Sequence, residues 1–161
     1  MLKYLSTRFT EASSFGPETV SDTFREDHIQ TIRFARDLLE THGRNRFPGK
    51  AIFVFDKNVV CALFLVAARC RDCMRRKAIS MMWKYPRREA LWGSSMAAKI
   101  ATWIMSVEEE GMVEGFVPET ARLKIVNNDF ALPQRKAVIC CSKPVEGLSE
   151  RVVLPEATLT W

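Results

Sequence analysis

Asp56-Lys-Asn-Val-Val-Cys-Ala-Leu-Phe-Leu-Val-Ala-Ala-Arg-Cys70, then Cys73-Met-Arg-Arg-Lys-Ala-Ile-Ser-Met-Met-Trp-Lys-Tyr85, then Pro86-Arg-Arg-Glu-Ala-Leu-Trp92, is the stretch whose reading decides the fold. The unbroken apolar run from Val59 to Ala68 predicts a helix from Lys57 to about Cys70, buried on nearly all sides. The second segment, Cys73 to Tyr85, is amphipathic. Met74, Ala78, Met81, Met82 and Tyr85 share one face, and Arg75, Arg76, Lys77 and Lys84 lie off it. Pro86 stops that helix, because its ring removes a donor and biases Tyr85 away from helical geometry. Gly93 and Ser94 mark a third start. From Trp92 an apolar stripe runs through Met96, Ile100, Trp103 and Val107 to the acidic end Glu108-Glu-Glu110, followed by Gly111. Carboxylates there face the negative end of the helix dipole, and an antiparallel return of the basic second helix would supply partners.

Outward from this core, residues 1–20 lack periodicity and read as a loop or loosely docked terminus. Thr23 and Glu26 form a candidate capping box, followed by Phe24, His28, Ile32, Ala35, Leu38 and Leu39 at helical spacing. This helix ends near His42, with Gly43 placed for a left-handed cap. The short apolar run Ala51 to Phe55 suits an extended lead-in or part of a broken helix equally. Asp56 and Asp72 are the candidate N-caps of the two helices behind them. After Gly111 the pattern changes to alternation over Ala121 to Phe130, with Asn127-Asn-Asp129 as a turn-like interruption. Ala137 to Cys141, and then Val152 to Leu154 with Ala157 to Trp161, complete two or three short strands. The expected architecture is mainly α: about four helices with a small C-terminal antiparallel hairpin or meander leaning on them. It divides into a terminal segment 1–20, a helical core 21–117 and a β appendage 118–161.

Composition suits one soluble domain. The chain has 161 residues, 47% of them hydrophobic and 27% charged. The apolar run is too short to cross a bilayer, and the first residues lack the apolar core of a signal peptide. An intracellular location without membrane attachment or secretion is expected. The formal net charge is +5, but the excess is local. Arg69, Arg71, Arg75, Arg76, Lys77, Lys84, Arg87 and Arg88 face Asp72 alone between positions 69 and 88. Such a belt can attract nucleic acid or an anionic membrane, and its candidate nucleic-acid or partner contacts are Arg75, Arg76, Lys77, Lys84, Arg87 and Arg88. The plainer account, which we favour, is long basic side chains coating the wet face of a helix. No aromatic residue in the belt looks free to stack on bases.

Chemistry-bearing constellations are few. Cys70 and Cys73 make a lone C-x-x-C, but Cys140 and Cys141 are strand neighbours on opposite faces and poor joint ligands. Five cysteines, one of them inside an apolar helix, fit reduced thiols. His28 and His42 are not paired with a nucleophile in any known motif, and Trp83, Trp92 and Trp103 suit core packing. No catalytic residue, metal ligand or cofactor is expected from these residues.

One combination exceeds what packing requires. Cys70-Arg-Asp72, Arg75-Arg-Lys-Ala-Ile79, Pro86-Arg-Arg-Glu-Ala-Leu-Trp92, Ala97-Ala-Lys-Ile-Ala-Thr-Trp103 and Glu108-Glu-Glu-Gly111, taken together, resemble a known family. The likeness is to the C-terminal part of the regulatory region of fungal binuclear zinc-cluster transcription factors, over roughly residues 50–142. Its structural signature here is Arg71, Asp72, Arg75, Arg76, Pro86, Arg87, Arg88, Glu89, Leu91, Trp92 and Trp103. The chain departs from the pattern at Ala90, where that family usually carries glycine, and near Cys61, where a proline commonly opens the buried helix. The family's six-cysteine DNA-binding cluster has no counterpart here. The resemblance therefore implies a regulatory module without its own DNA reader, working in the nucleus through protein contacts. A related full-length factor is one such partner, and metabolic or secondary-metabolite genes are the expected targets. Direct sequence-specific DNA binding is not expected. The alternatives are a small basic nucleic-acid-binding protein using the Arg69–Arg88 belt, and a non-catalytic or accessory protein of a biosynthetic pathway.

Overall fold

Pro17 opens the first described helix, a 3-10 segment Glu18–Phe24 that runs directly into α1, Arg25–Gly43. The computed structural model describes residues 17–43, 52–54, 59–147 and 150–161. The helix thus starts five residues before the proposed capping box, inside the stretch read as loop. Thr23 does not cap it, since its hydroxyl donates back to the Val20 carbonyl at 2.7 Å. The cap comes from far away in sequence: the Glu119 carboxylate accepts from the Glu18 and Thr19 amides at 2.9 and 2.8 Å. A carboxylate at a helix N-terminus is favoured by both the free amides and the dipole.

The other three helices among the described residues are α2 (Val59–Arg69), α3 (Cys73–Lys84) and α4 (Ser94–Glu110). α2 is the centre, with Val59, Val60, Ala62, Leu63, Phe64, Val66 and Ala67 all buried, and α1, α3 and α4 pack around it. Burying each Leu- or Phe-sized side chain contributes about 1.5–3 kcal/mol, so this helix anchors the fold. α1 turns His28, Thr31, Ile32, Ala35 and Leu39 inward, and α4 does the same with Met96, Ala97, Ile100, Ala101 and Ile104. Asp72 caps α3, accepting from the Met74 amide at 2.7 Å. α1 ends at Gly43, beside the expected end near His42, and the Asp56 cap falls outside the described residues.

Ile52–Val54 is a strand, β1, so the described part of the apolar run takes the extended form. It pairs in parallel with β2, Arg87–Glu89, and β2 pairs antiparallel with β3, Trp92–Gly93. The junction after Pro86 is therefore a tight hairpin at one end of the buried helix, a small sheet that periodicity alone did not predict.

The C-terminal sheet has four strands and is larger than a hairpin. β4 (Lys124–Ala131) and β5 (Lys136–Pro144) are antiparallel, and β6 (Arg151–Val153) and β7 (Ala157–Thr160) both pair with the other edge of β5. Asn127-Asn-Asp129 does not interrupt the strand. It lies within β4, where the register slips between Ile125 and Asn127, and the turn comes later at Leu132–Gln134 with Arg135 left-handed at φ 51°. Ala137, Ile139 and Cys141 alternate inward and, with Leu159, join the helical core.

Candidate functional site

The basic belt splits into an inner and an outer half. Arg75 is 2% exposed and Arg87 5%, so neither presents its charge at the surface as the sequence suggested. The Arg75 Nε donates to the Ala67 carbonyl at 2.8 Å, and its Nη2 donates to the Glu108 carboxylate. Arg71 reaches the same carboxylate through Nε and Nη2 at 3.2 and 2.8 Å, and the Leu123 amide completes the set at 2.7 Å. Glu18 meets Arg69, with Arg71 at 3.7 Å. The helix return that would neutralise Glu108 is thus real, and Arg76 holds Glu109 outside it at 2.8 Å. Burial pushes the Glu108 carboxyl up, but Arg71, Arg75 and the Leu123 amide outweigh it and hold the group below the ordinary glutamate value.

The Pro86–Trp92 junction is a second buried device. Arg87 and Glu89 pair at 2.9 Å, and Glu89 also accepts the Val60 amide at 2.9 Å, serving the first turn of α2 across space. Desolvation dominates at Glu89 and raises its carboxyl despite those bonds. Ser94 Oγ accepts the Arg87 amide at 3.1 Å, and Trp92 packs on Phe64 with ring centres 5.2 Å apart. Leu91 is 72% exposed at the tip, next to Ala90 with φ 51°. Ala90 thus holds a left-handed backbone position, which glycine adopts more readily than a residue with a Cβ. Trp103 is half-buried on α4.

Arg122, which the sequence reading passed over, is wholly buried. It grips Asp22 through two bonds of 3.0 and 2.7 Å, donates to the Val117 carbonyl, and stacks over Phe116 at 5.4 Å. Beside it lies a cleft of about 230 Å³ with His28, Cys70 and Asp72 on its wall. Burial depresses His28, and burial together with the Asp72 hydrogen bond pushes Cys70 up to about 12. Cys70 is a thiol at neutral pH, held by donation to Asp72 at 2.8 Å, and this chemistry is unsuited to exchange. Among the described residues no cluster of His, Cys, Asp and Glu has a geometry that holds a metal.

The outer half of the belt borders an open depression. Between α1 and α3 runs an open groove of about 670 Å³. Its floor is Ile29, Ile32, Met74, Met81 and Tyr85, and its rims carry Arg33 and Arg36 from one helix and Arg76, Lys77 and Lys84 from the other. All five cationic residues are exposed, with Glu40 the one acid among the lining residues. Trp83 departs from its expected place in the core: it is 47% exposed, on the same outer side of α3 as Arg76 and Lys84. No helix among the described residues is long and apolar enough to cross a membrane. Comparison with family models, with curated proteins and with solved structures finds no match for this chain.

Proposed function

We propose that this chain is a transcription-factor-like regulatory module that acts through protein contacts and does not read DNA itself. The observation that carries the reading is the α1–α3 groove, whose apolar floor between cationic rims suits a macromolecular partner better than a reaction. The resemblance of the Cys70–Gly111 segment to fungal zinc-cluster regulators supports the biological setting: a nuclear protein controlling metabolic or secondary-metabolite genes. The buried ion pairs around Glu108 and Glu89 then serve as scaffold. The test is a fusion of the full chain to a heterologous DNA-binding module upstream of a reporter. Reporter output should change relative to the module alone, and the unfused chain should show neither stoichiometric zinc nor a sequence-specific DNA shift. Zinc-dependent, sequence-specific binding by this chain would overturn the reading.

A second reading has one observation in its favour. Trp83 stands exposed beside Arg76, Lys77 and Lys84, and cations around a free aromatic ring suit single-stranded nucleic acid. It predicts oligonucleotide binding that weakens steeply with salt and falls on Trp83→Ala.

A further inference from the structure

Resting on the regulatory reading above, we infer that the α1–α3 groove receives an acidic amphipathic helix from another protein, apolar face down and carboxylates toward the rims. Both walls are helices. Ile29 and Glu40, the outermost lining residues on α1, are eleven residues apart, which is about three turns, or roughly 16 Å. That length suits three or four side chains projecting at i, i+3, i+4 and i+7 from an inserted helix. Met74 and Met81 supply an adaptable apolar floor, since an unbranched thioether repacks around different shapes at little cost. Arg33 and Arg36 on one rim oppose Arg76, Lys77 and Lys84 on the other, so a bound helix lies between two rows of positive charge. Arg76 is already shared with Glu109 and Arg36 with Asp37 at 3.6 Å, which leaves Arg33, Lys77 and Lys84 for the partner.

The chain's own sequence argues for an outside occupant. Residues 1–16 carry Lys3 and Arg8 against Glu11, and residues 44–58 carry Arg44, Arg46, Lys50 and Lys57 against Asp56. Both segments have the wrong sign for these rims. The chain's acidic run is also committed, with Glu108 buried under Arg71 and Arg75 and Glu109 held by Arg76. A nucleic acid would match the rims and could stack on Tyr85, but its sugar-phosphate edge has no use for the isoleucines and methionines that make up the rest of the floor.

The experiment titrates the full chain into a fluorescently labelled synthetic peptide with Leu and Ile on one helical face and Glu on the other, read by anisotropy. Controls are a scrambled peptide of the same composition and a labelled single-stranded oligonucleotide. The amphipathic peptide should bind at least tenfold more tightly than its scramble. Arg36→Glu with Lys77→Glu, both exposed and outside the core, should weaken it by tenfold or more with an unchanged circular dichroism spectrum. Met81→Glu, on the floor, should do the same. Equal binding of peptide and scramble overturns the inference, as does oligonucleotide binding that the peptide cannot displace and the rim reversals abolish. The same reversals placed in the reporter fusion separate the two levels. A fusion that alters output with or without intact rims keeps the regulatory reading and removes the groove from it. An inert wild-type fusion with intact peptide binding does the opposite.

Discussion

From Arg87 to Arg88 the backbone of β2 turns one guanidinium inward and the next outward, because successive strand side chains point to opposite faces. The inner one neutralises Glu89, whose carboxylate already serves the Val60 amide. Arg87→Ala leaves that carboxylate buried without its cation and should cost about 3–5 kcal/mol. Arg88→Ala removes an exposed side chain and should stay within about 0.5 kcal/mol. Urea midpoints of the two variants decide the matter, and equal midpoints would mean that the pair contributes nothing. One residue further, Ala90 sits at φ 51°, where a Cβ crowds the following carbonyl at roughly 1–2 kcal/mol. Glycine removes that strain but gains freedom in the unfolded chain, worth about 0.5–1 kcal/mol. Ala90→Gly should therefore raise stability by up to about 1 kcal/mol, seen as a higher urea midpoint at unchanged slope. A lower midpoint would show that the turn is not strained.

At the scale of elements, α4 meets the C-terminal layer at Gly111. A Cβ built there would stand 2.7 Å from the Ala121 Cβ, on the short 3-10 turn Glu119–Ala121. Glu119 in that turn caps the helix at Glu18, so any displacement reaches the first helix of the chain. Gly111→Ala should cost about 1–3 kcal/mol by overpacking, and hydrogen exchange should quicken at the Glu18 and Thr19 amides. Unchanged protection there would separate the two contacts. The helices themselves were readable in advance, since the Val59–Ala68 run, the Asp72 cap and the Pro86 stop are all local signals. Pairing was not. Glu119 and Glu18 lie 101 residues apart, and no periodicity connects them. The four-stranded sheet was underestimated for the same reason: β6 and β7 share one edge of β5, a choice made by register and not by composition. In the basic belt, charge alone could not say which arginines would find buried carboxylates. The groove needs α1 and α3 side by side, so its cations were visible in sequence only as separate surface residues.

Across the whole molecule Glu108 is the point where α2, α3, α4 and the entry to the sheet converge. Arg71 follows α2, Arg75 belongs to α3, and the Leu123 amide leads into β4. Its carboxyl is held below the ordinary glutamate value, so it contributes stability that is fully present above the unfolded-state pKa. That contribution is lost as pH falls through the lower folded-state value. Glu89 carries the opposite sign. Its folded-state pKa is raised, so its contribution is present below the unfolded value and disappears as pH rises through the folded one. Lowering the pH from neutrality should therefore first protonate Glu89 and raise stability slightly, and then protonate Glu108 and reduce it. Glu108→Gln keeps the shape but leaves Arg71 and Arg75 with no counter-charge at that position, at a cost of about 3–5 kcal/mol at neutral pH. The same variant should flatten the steep acid limb while leaving the shallow rise in place, because Glu89 is untouched. Urea titrations at intervals between neutral and strongly acid pH measure both. An acid limb as steep in the variant as in the parent would move the titrating centre of the fold away from Glu108.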